Sequence, residues 1–160
     1  MFTDSQIELL AKLAAADYAA NCKGPTIRGL NGEKELRGES YKEISERTGL
    51  SIEEVMHKTL DLSQASFDEL SDHWKGVNIK SAQDMVSMIY AVGGTQTILD
   101  TLKNLWALAS MIHEAWLDNP NNSWAKGGNL DKPFDKLDPS EQMKDIQMLV
   151  SMFKWLRALE

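Results

Sequence analysis

The residues best equipped for chemistry sit in one stretch, "IHEAWLDNPNNSWAKGGNLDKPFDKLDPSEQMKDI", which begins at Ile112. His113 stands three residues before Trp116 on an apolar helical run, and Trp124 follows in a loop with Lys126 and Lys132. Indole faces at Trp116 and Trp124 suit stacking on a nucleobase. The two lysines can meet phosphates, and His113 can donate to a ribose or phosphate oxygen. Each residue also has a plainer role. His113 reads equally as a satisfied core histidine, Trp116 as packing, and Lys126 and Lys132 as solvated loop charges. Trp124, between "NNS" and "AKGG", is the stronger site candidate. A second cradle is "KGPTIRGLNG", where glycines permit close backbone approach and Lys23 and Arg28 add positive charge.

Catalytic patterns are sparse. "HEAW" lacks the second histidine of HExxH, and no GxSxG or Walker loop occurs. His57, His73 and His113 share no metal-ligand spacing. A Cys22–His113 nucleophile pair stays open. The expectation is a protein without catalysis, cofactor or metal.

Composition narrows the class. The 160 residues are 42% hydrophobic and 26% charged, a globular balance that excludes disordered and fibrous chains. Seventeen Lys and Arg against 24 Asp and Glu give a net charge of -7, which opposes a polyanion over most of the surface. Nucleic acid is therefore not an expected partner. The single cysteine, Cys22, reads as a buried structural thiol in a reducing compartment. With no signal-like start and no apolar run of membrane length, the expected location is cytoplasmic and off the membrane.

The positioning elements read as helical. "DSQIELLAKLAAADYAA" carries Ile7, Leu10, Ala11, Ala14 and Tyr18 on one stripe, ending near Gly24-Pro25. The glycine-rich 23–40 stretch reads as an irregular loop or short hairpin. Capping boxes Ser40/Glu43, Ser51/Glu54 and Ser66/Glu69 start short helices, two of them meeting at Gly49. A longer helix is expected from about Asn78 to Val92, stopped by Gly93 and Gly94. The next has Ile98, Leu102, Leu105, Ala109, Ile112 and Trp116 on one face, with Trp106 and Trp155 placed in the core. Trp106→Ala is accordingly expected to harm folding more than Trp124→Ala. The last helix opens with Asp138 as cap and Pro139 in its first position. No segment alternates with period two, so the fold class is all-α: one compact domain of five to seven helices.

Two further patterns bear on function. Ile44, Ser45, Gly49 and Val55 fit a helix-turn-helix, yet the would-be recognition helix "SIEEVMHK" presents glutamates to a phosphate-lined groove, which favours a structural corner. The segments "SFDELSDHWKGVNIKSAQDMVSMI" and "PFDKLDPSEQMKDIQMLVSMFKWL" align without a gap, pairing Phe67 with Phe134, Leu70 with Leu137 and Asn78 with Asp145. This reads as a degenerate duplication.

The run "LASMIHEAWL", "SWAKGG", "PFDKLDPSEQMKDI" resembles the RyR domain, the repeat of ryanodine receptors and of stand-alone bacterial and phage proteins. The matching positions are His113, Glu114, Trp116, Trp124, Gly127, Pro133, Phe134, Leu137, Lys144 and Asp145. The resemblance covers about residues 105 to 150, with a partial second element at 66–94. Residues 20 to 65 lie outside it, and Ile146 stands where the repeat usually has Arg. The chain then divides into a helical N-terminal part (1–65), the partial element (66–94) and the fuller one (95–160). The resemblance implies a binding module for a nucleotide or nucleotide-derived signal, sensing or sequestering it in bacterial or phage defence. The alternatives are a helical protein-interaction module, including a homo-oligomer built on the Met-rich C-terminal helix, and a helix-turn-helix regulator.

Overall fold

The computed structural model describes residues 2–95 and 102–160, the side chains of 102–104 excepted. Helix α1 (Asp4–Asn21) is started by Thr3, whose side chain accepts from the Gln6 amide while Gln6 returns a bond to the Thr3 amide. Its expected stripe buries Ile7, Leu10, Ala11 and Ala14, and Tyr18 remains at the rim, 39% exposed. Cys22 ends the helix half-buried rather than buried, its Sγ donating to the Tyr18 carbonyl.

Next comes a small layer that is not helical. Strand β1 (Ile27–Gly29) pairs antiparallel with β2 (Thr59–Asp61) in the register Ile27 to Asp61, Arg28 to Leu60 and Gly29 to Thr59. On its other side Ile27 bridges to Gly38. The expected loop or hairpin is thus a strand held from both sides, and its partner β2 lies beyond two helices. Those helices, α2 (Tyr41–Thr48) and α3 (Ile52–Lys58), are capped by Ser40 and Ser51 and meet at Gly49, whose φ of 75° reverses the chain. Their inner faces make a satellite core of Ile27, Leu36, Ile44 and Val55. Gly38 is needed there, because a Cβ on it would stand 2.7 Å from Ile44 Cγ1. Ile44 and Val55 are spent on packing, while Glu53 faces solvent.

Helix α4 (Asp72–Ala91) begins well before Asn78, because Ser71 caps it by accepting from the Trp74 amide. Helix α5 (Leu102–Asp118) leads into a 3-10 turn at Pro120–Ala125 and a loop, and α6 (Pro139–Leu159) closes the fold. Its first turn follows Asp138, although no side-chain cap bond forms. Helices α1, α4, α5 and α6 share the main core, with Leu10, Ala11, Ile89, Leu108, Phe134, Leu149 and Leu156 almost wholly enclosed. The chain is a compact, mostly helical domain, with six α-helices and one two-stranded sheet among the described residues. No helix among them is long and apolar enough to cross a membrane.

The aligned segments are alike in conformation. Phe67–Glu69 and Phe134–Lys136 are both 3-10 turns, each Phe is buried, and Leu70 and Leu137 each return an amide bond to the Phe carbonyl. A long helix starts at the aligned position in both.

Two expectations need correction. On α5 the face turned inward is Leu108, Ala109 and His113, with Leu105 and Ile112 beside it. Trp106 therefore lies 46% exposed, touching Phe134 edge-on with centroids 5.3 Å apart, and is not a core residue. Ile98 lies outside the described residues. Trp155 is half-buried against the core.

A test follows from the burial of the two rings. Phe134→Ala is expected to cost about 3–5 kcal/mol, as a large truncation in a closed core. Trp106→Ala should cost less than half as much by urea denaturation. Equal losses would contradict the inward face assigned to α5.

Candidate functional site

The helices, the small sheet and the 120–137 loop border an open cavity of about 420 Å³. Tyr18 of α1 and Arg28 of β1 line one side with Arg37, and Trp74, Asn78 and Met85 of α4 line the floor. His113 and Trp116 of α5, Asn122 and Trp124 of the 3-10 turn, and Glu141, Lys144 and Asp145 of α6 complete it. Its volume falls in the range of small-molecule sites, roughly 300–1,000 Å³.

Trp124 is the central wall residue. Its ring meets Trp116 edge-on at 5.5 Å and Trp74 at 6.4 Å, and the guanidiniums of Arg37 and Arg28 lie 5.1 and 5.9 Å from its centroid. Its Nε1 is buried with no hydrogen-bond partner. Trp74, by contrast, donates its Nε1 to the Gly29 carbonyl at 2.9 Å. Asn122 is 1% exposed, and its amide nitrogen is spent on the Trp116 carbonyl while Oδ1 lacks a partner. Unpaired buried polar groups are costly, and His73 Nε2, outside the cavity lining, is a third.

His113 is the best-anchored polar group. It is 4% exposed, and Nε2 lies 2.8 Å from the Lys132 carbonyl, which can only accept, so Nε2 carries a proton. Nδ1 lies 3.6 Å from Asp145 Oδ2. With acceptors on both sides the imidazolium is favoured. The Asp145 carboxylate is the chief cause of a pKa raised above 6.5, with the Lys132 carbonyl adding to it against the effect of burial. His113 also stacks on Trp116 at 6.2 Å, fixing that indole from behind. Both ring nitrogens being engaged, the Cys22–His113 nucleophile pair does not form.

The site residues read from sequence divide sharply. His113, Trp116, Trp124 and Arg28 come together around the cavity. Lys126 and Lys132 do not, for their exposed side chains lie outside the lining and each contributes instead its carbonyl, to Lys34 Nζ and to His113. The glycine cradle at 23–32 is corrected too. The amides of Ile27, Leu30, Asn31 and Gly32 are taken by Gly38, Lys58, Glu33 and Gly29 acceptors, so they are not free for phosphate, and Lys23 is exposed. Arg28 is what that stretch brings to the site. The two alternative sites, at 112–146 and at 23–32, are therefore one.

Sequence reading missed Arg37, Tyr18, Trp74 and Asn122. Burial raises the pKa of Tyr18, and burial, then the neighbouring Arg37 charge, lowers that of Arg28. The repeated "RG" at 28–29 and 37–38 was a visible signal for the arginines. Trp124 is also no free loop indole. Half-buried and packed on the core, it contributes to folding as well as to the cavity wall. Against protein-family models, curated proteins and solved structures, the chain finds no match.

The raised pKa of His113 sets a pH dependence. Its contribution to stability is fully present below pH 6.5 and is lost as pH rises through the raised folded value. His73, whose pKa burial lowers, titrates in the opposite sense, so the comparison must be against a His113→Asn variant. The stability difference between wild type and variant, from denaturation at pH 6 to 9, is expected to shrink with rising pH. A constant difference would show that His113 is not held as an imidazolium.

Proposed function

We propose that the chain binds a nucleotide or nucleotide-derived small molecule in this cavity and senses or sequesters it without turnover. The observation that carries the reading is the convergence of Trp116, Trp124, Arg28 and Arg37 on one cavity of about 420 Å³. Indoles supply faces for a base, and arginines complement phosphate. His113 acts here by orienting Trp116 and the 126–133 loop rather than by touching the ligand as an acid or base. The RyR-like residues Trp116, Trp124 and Asp145 lie on the same wall, which supports the reading. A role in bacterial or phage defence extends it and rests on the resemblance alone.

The net charge of -7 argues against duplex DNA as the ligand. A thermal-shift screen of nucleotides, cyclic dinucleotides and ADP-ribose derivatives, with duplex DNA in parallel, tests the reading. A member of the small-molecule set should stabilise the fold and be recovered chemically unchanged after denaturation. Trp124→Ala should weaken its binding by about 1–3 kcal/mol, the loss of one stacking face, and should lower folding stability as well. Product beyond one equivalent per chain, or salt-sensitive DNA binding without nucleotide stabilisation, would overturn it.

A further inference from the structure

We infer that Arg28 and Arg37 form the phosphate-binding end of the cavity and take the phosphate monoester or pyrophosphate group of the ligand, an inference that rests on reading the cavity as a nucleotide site. The register carries it. Ile27 and Gly38 exchange both backbone bonds, Ile27 N to Gly38 O at 3.0 Å and Gly38 N to Ile27 O at 3.1 Å. The next residues along the antiparallel pair are Arg28 and Arg37, directly opposite each other. Ile27 faces the satellite core, so both arginines fall on the other face, toward the cavity and over the same indole.

Like charges across a strand pair are destabilising, so such a placement calls for an anion. The fold supplies none in direct contact, although the Asp61 charge acts on Arg28 from beyond ion-pair distance. Among the described residues neither guanidinium makes a salt bridge, and the nearby carboxylates are committed elsewhere. Asp61 accepts from the Thr26 amide at 2.8 Å and from the Ser63 amide and hydroxyl at 2.9 and 2.6 Å. Glu33 accepts from the Asn31 amide at 2.9 Å and from its side chain at 3.1 Å. Arg28 spends one donor, Nη1, on the Ile27 carbonyl. Arg37 is held from behind by Arg47, which donates to the Glu35 and Arg37 carbonyls and fixes the backbone that presents it.

Two guanidiniums offer paired donors to the oxygens of a dianion, a match that a lone lysine lacks. Burial of Arg28 weakens the hydration that competes with such an anion. The cavity as a whole also carries Asp84, Asp138, Glu141 and Asp145, so the positive charge is local to the two arginines.

The test is calorimetric titration of the wild type with nucleosides, their 5′-mono- and diphosphates, ADP-ribose and inorganic pyrophosphate. The same series is run on Arg37→Gln and Arg37→Lys, with Lys132→Gln as a control outside the cavity. Phosphorylated compounds should bind about ten- to a hundredfold more tightly than their nucleosides, the scale of one or two charge-assisted hydrogen bonds. Arg37→Gln should cut that ratio about tenfold, the loss of one charge-assisted hydrogen bond, Arg37→Lys should keep more of it, and Lys132→Gln should keep all of it. The melting temperature of ligand-free Arg37→Gln should change little, since relief of the repulsion from Arg28 offsets the lost contact with the Trp124 ring. Nucleosides binding as tightly as nucleotides would overturn the phosphate subsite while leaving the nucleotide-class reading standing. Pyrophosphate binding lost in Arg37→Gln, with no nucleoside compound bound, would keep the subsite and overturn that reading. Binding of nothing in the series, or a sharp loss of ligand-free stability in both Arg37 variants, would overturn the inference.

Discussion

The packing of one indole joins the parts of this fold. Trp124 sits where the small sheet, α4, α5 and the 120–137 loop meet, with Trp74 and Trp116 at its edges and Arg28 and Arg37 over its ring. Around that joint, polar contacts tie the same segments. Ser71 donates to the Leu30 carbonyl at 2.5 Å, Trp74 to Gly29 at 2.9 Å, and Lys34 to the Lys126 carbonyl at 3.3 Å. Without the indole, the sheet and the loop would each lose the surface they share, and the cavity between them would lose a wall.

That arrangement explains why the polar chemistry collects there. A core of closely packed apolar side chains leaves little room for charge, and the main core among α1, α4, α5 and α6, with Phe67, Phe134 and Phe153 among its members, is of that kind. The junction with the satellite core is different. Large flat rings, paired arginines and asparagines meet there without filling the space between them, which is the composition expected of a binding pocket. His113 and Asp145 pair beside it. They hold the loop and the Trp116 face in place, so that the pocket keeps its shape before a ligand arrives.

Local signals in the sequence were enough for much of the helical fold. Ser40, Ser51 and Ser66 mark element starts because capping chemistry is local, and Gly49 marks a chain reversal for the same reason. The Phe67 and Phe134 turns were visible as a repeat. Long-range pairing was not. Nothing near Ile27 announces that it will bridge Gly38 and pair with Asp61, so Arg37 could not be placed beside Arg28 and the 23–32 stretch read as a phosphate loop. Trp106 was misplaced because its helix is apolar over more than one face, and periodicity alone does not say which face meets the neighbours. Lys126 and Lys132 looked like ligands from their nearness to Trp124 in sequence, yet in a 3-10 turn and loop such nearness does not set direction.

The central claim, that the Trp116 and Trp124 faces of this cavity receive the ligand, is most directly tested by following the indole N–H resonances of the five tryptophans during titration with whichever nucleotide stabilises the protein. The Trp124 resonance should shift most, with Trp116 and Trp74 responding and Trp106 and Trp155 unmoved. Largest shifts at Trp106 or Trp155, with Trp124 unchanged at saturation, would contradict the account and place the binding site on another face of the bundle.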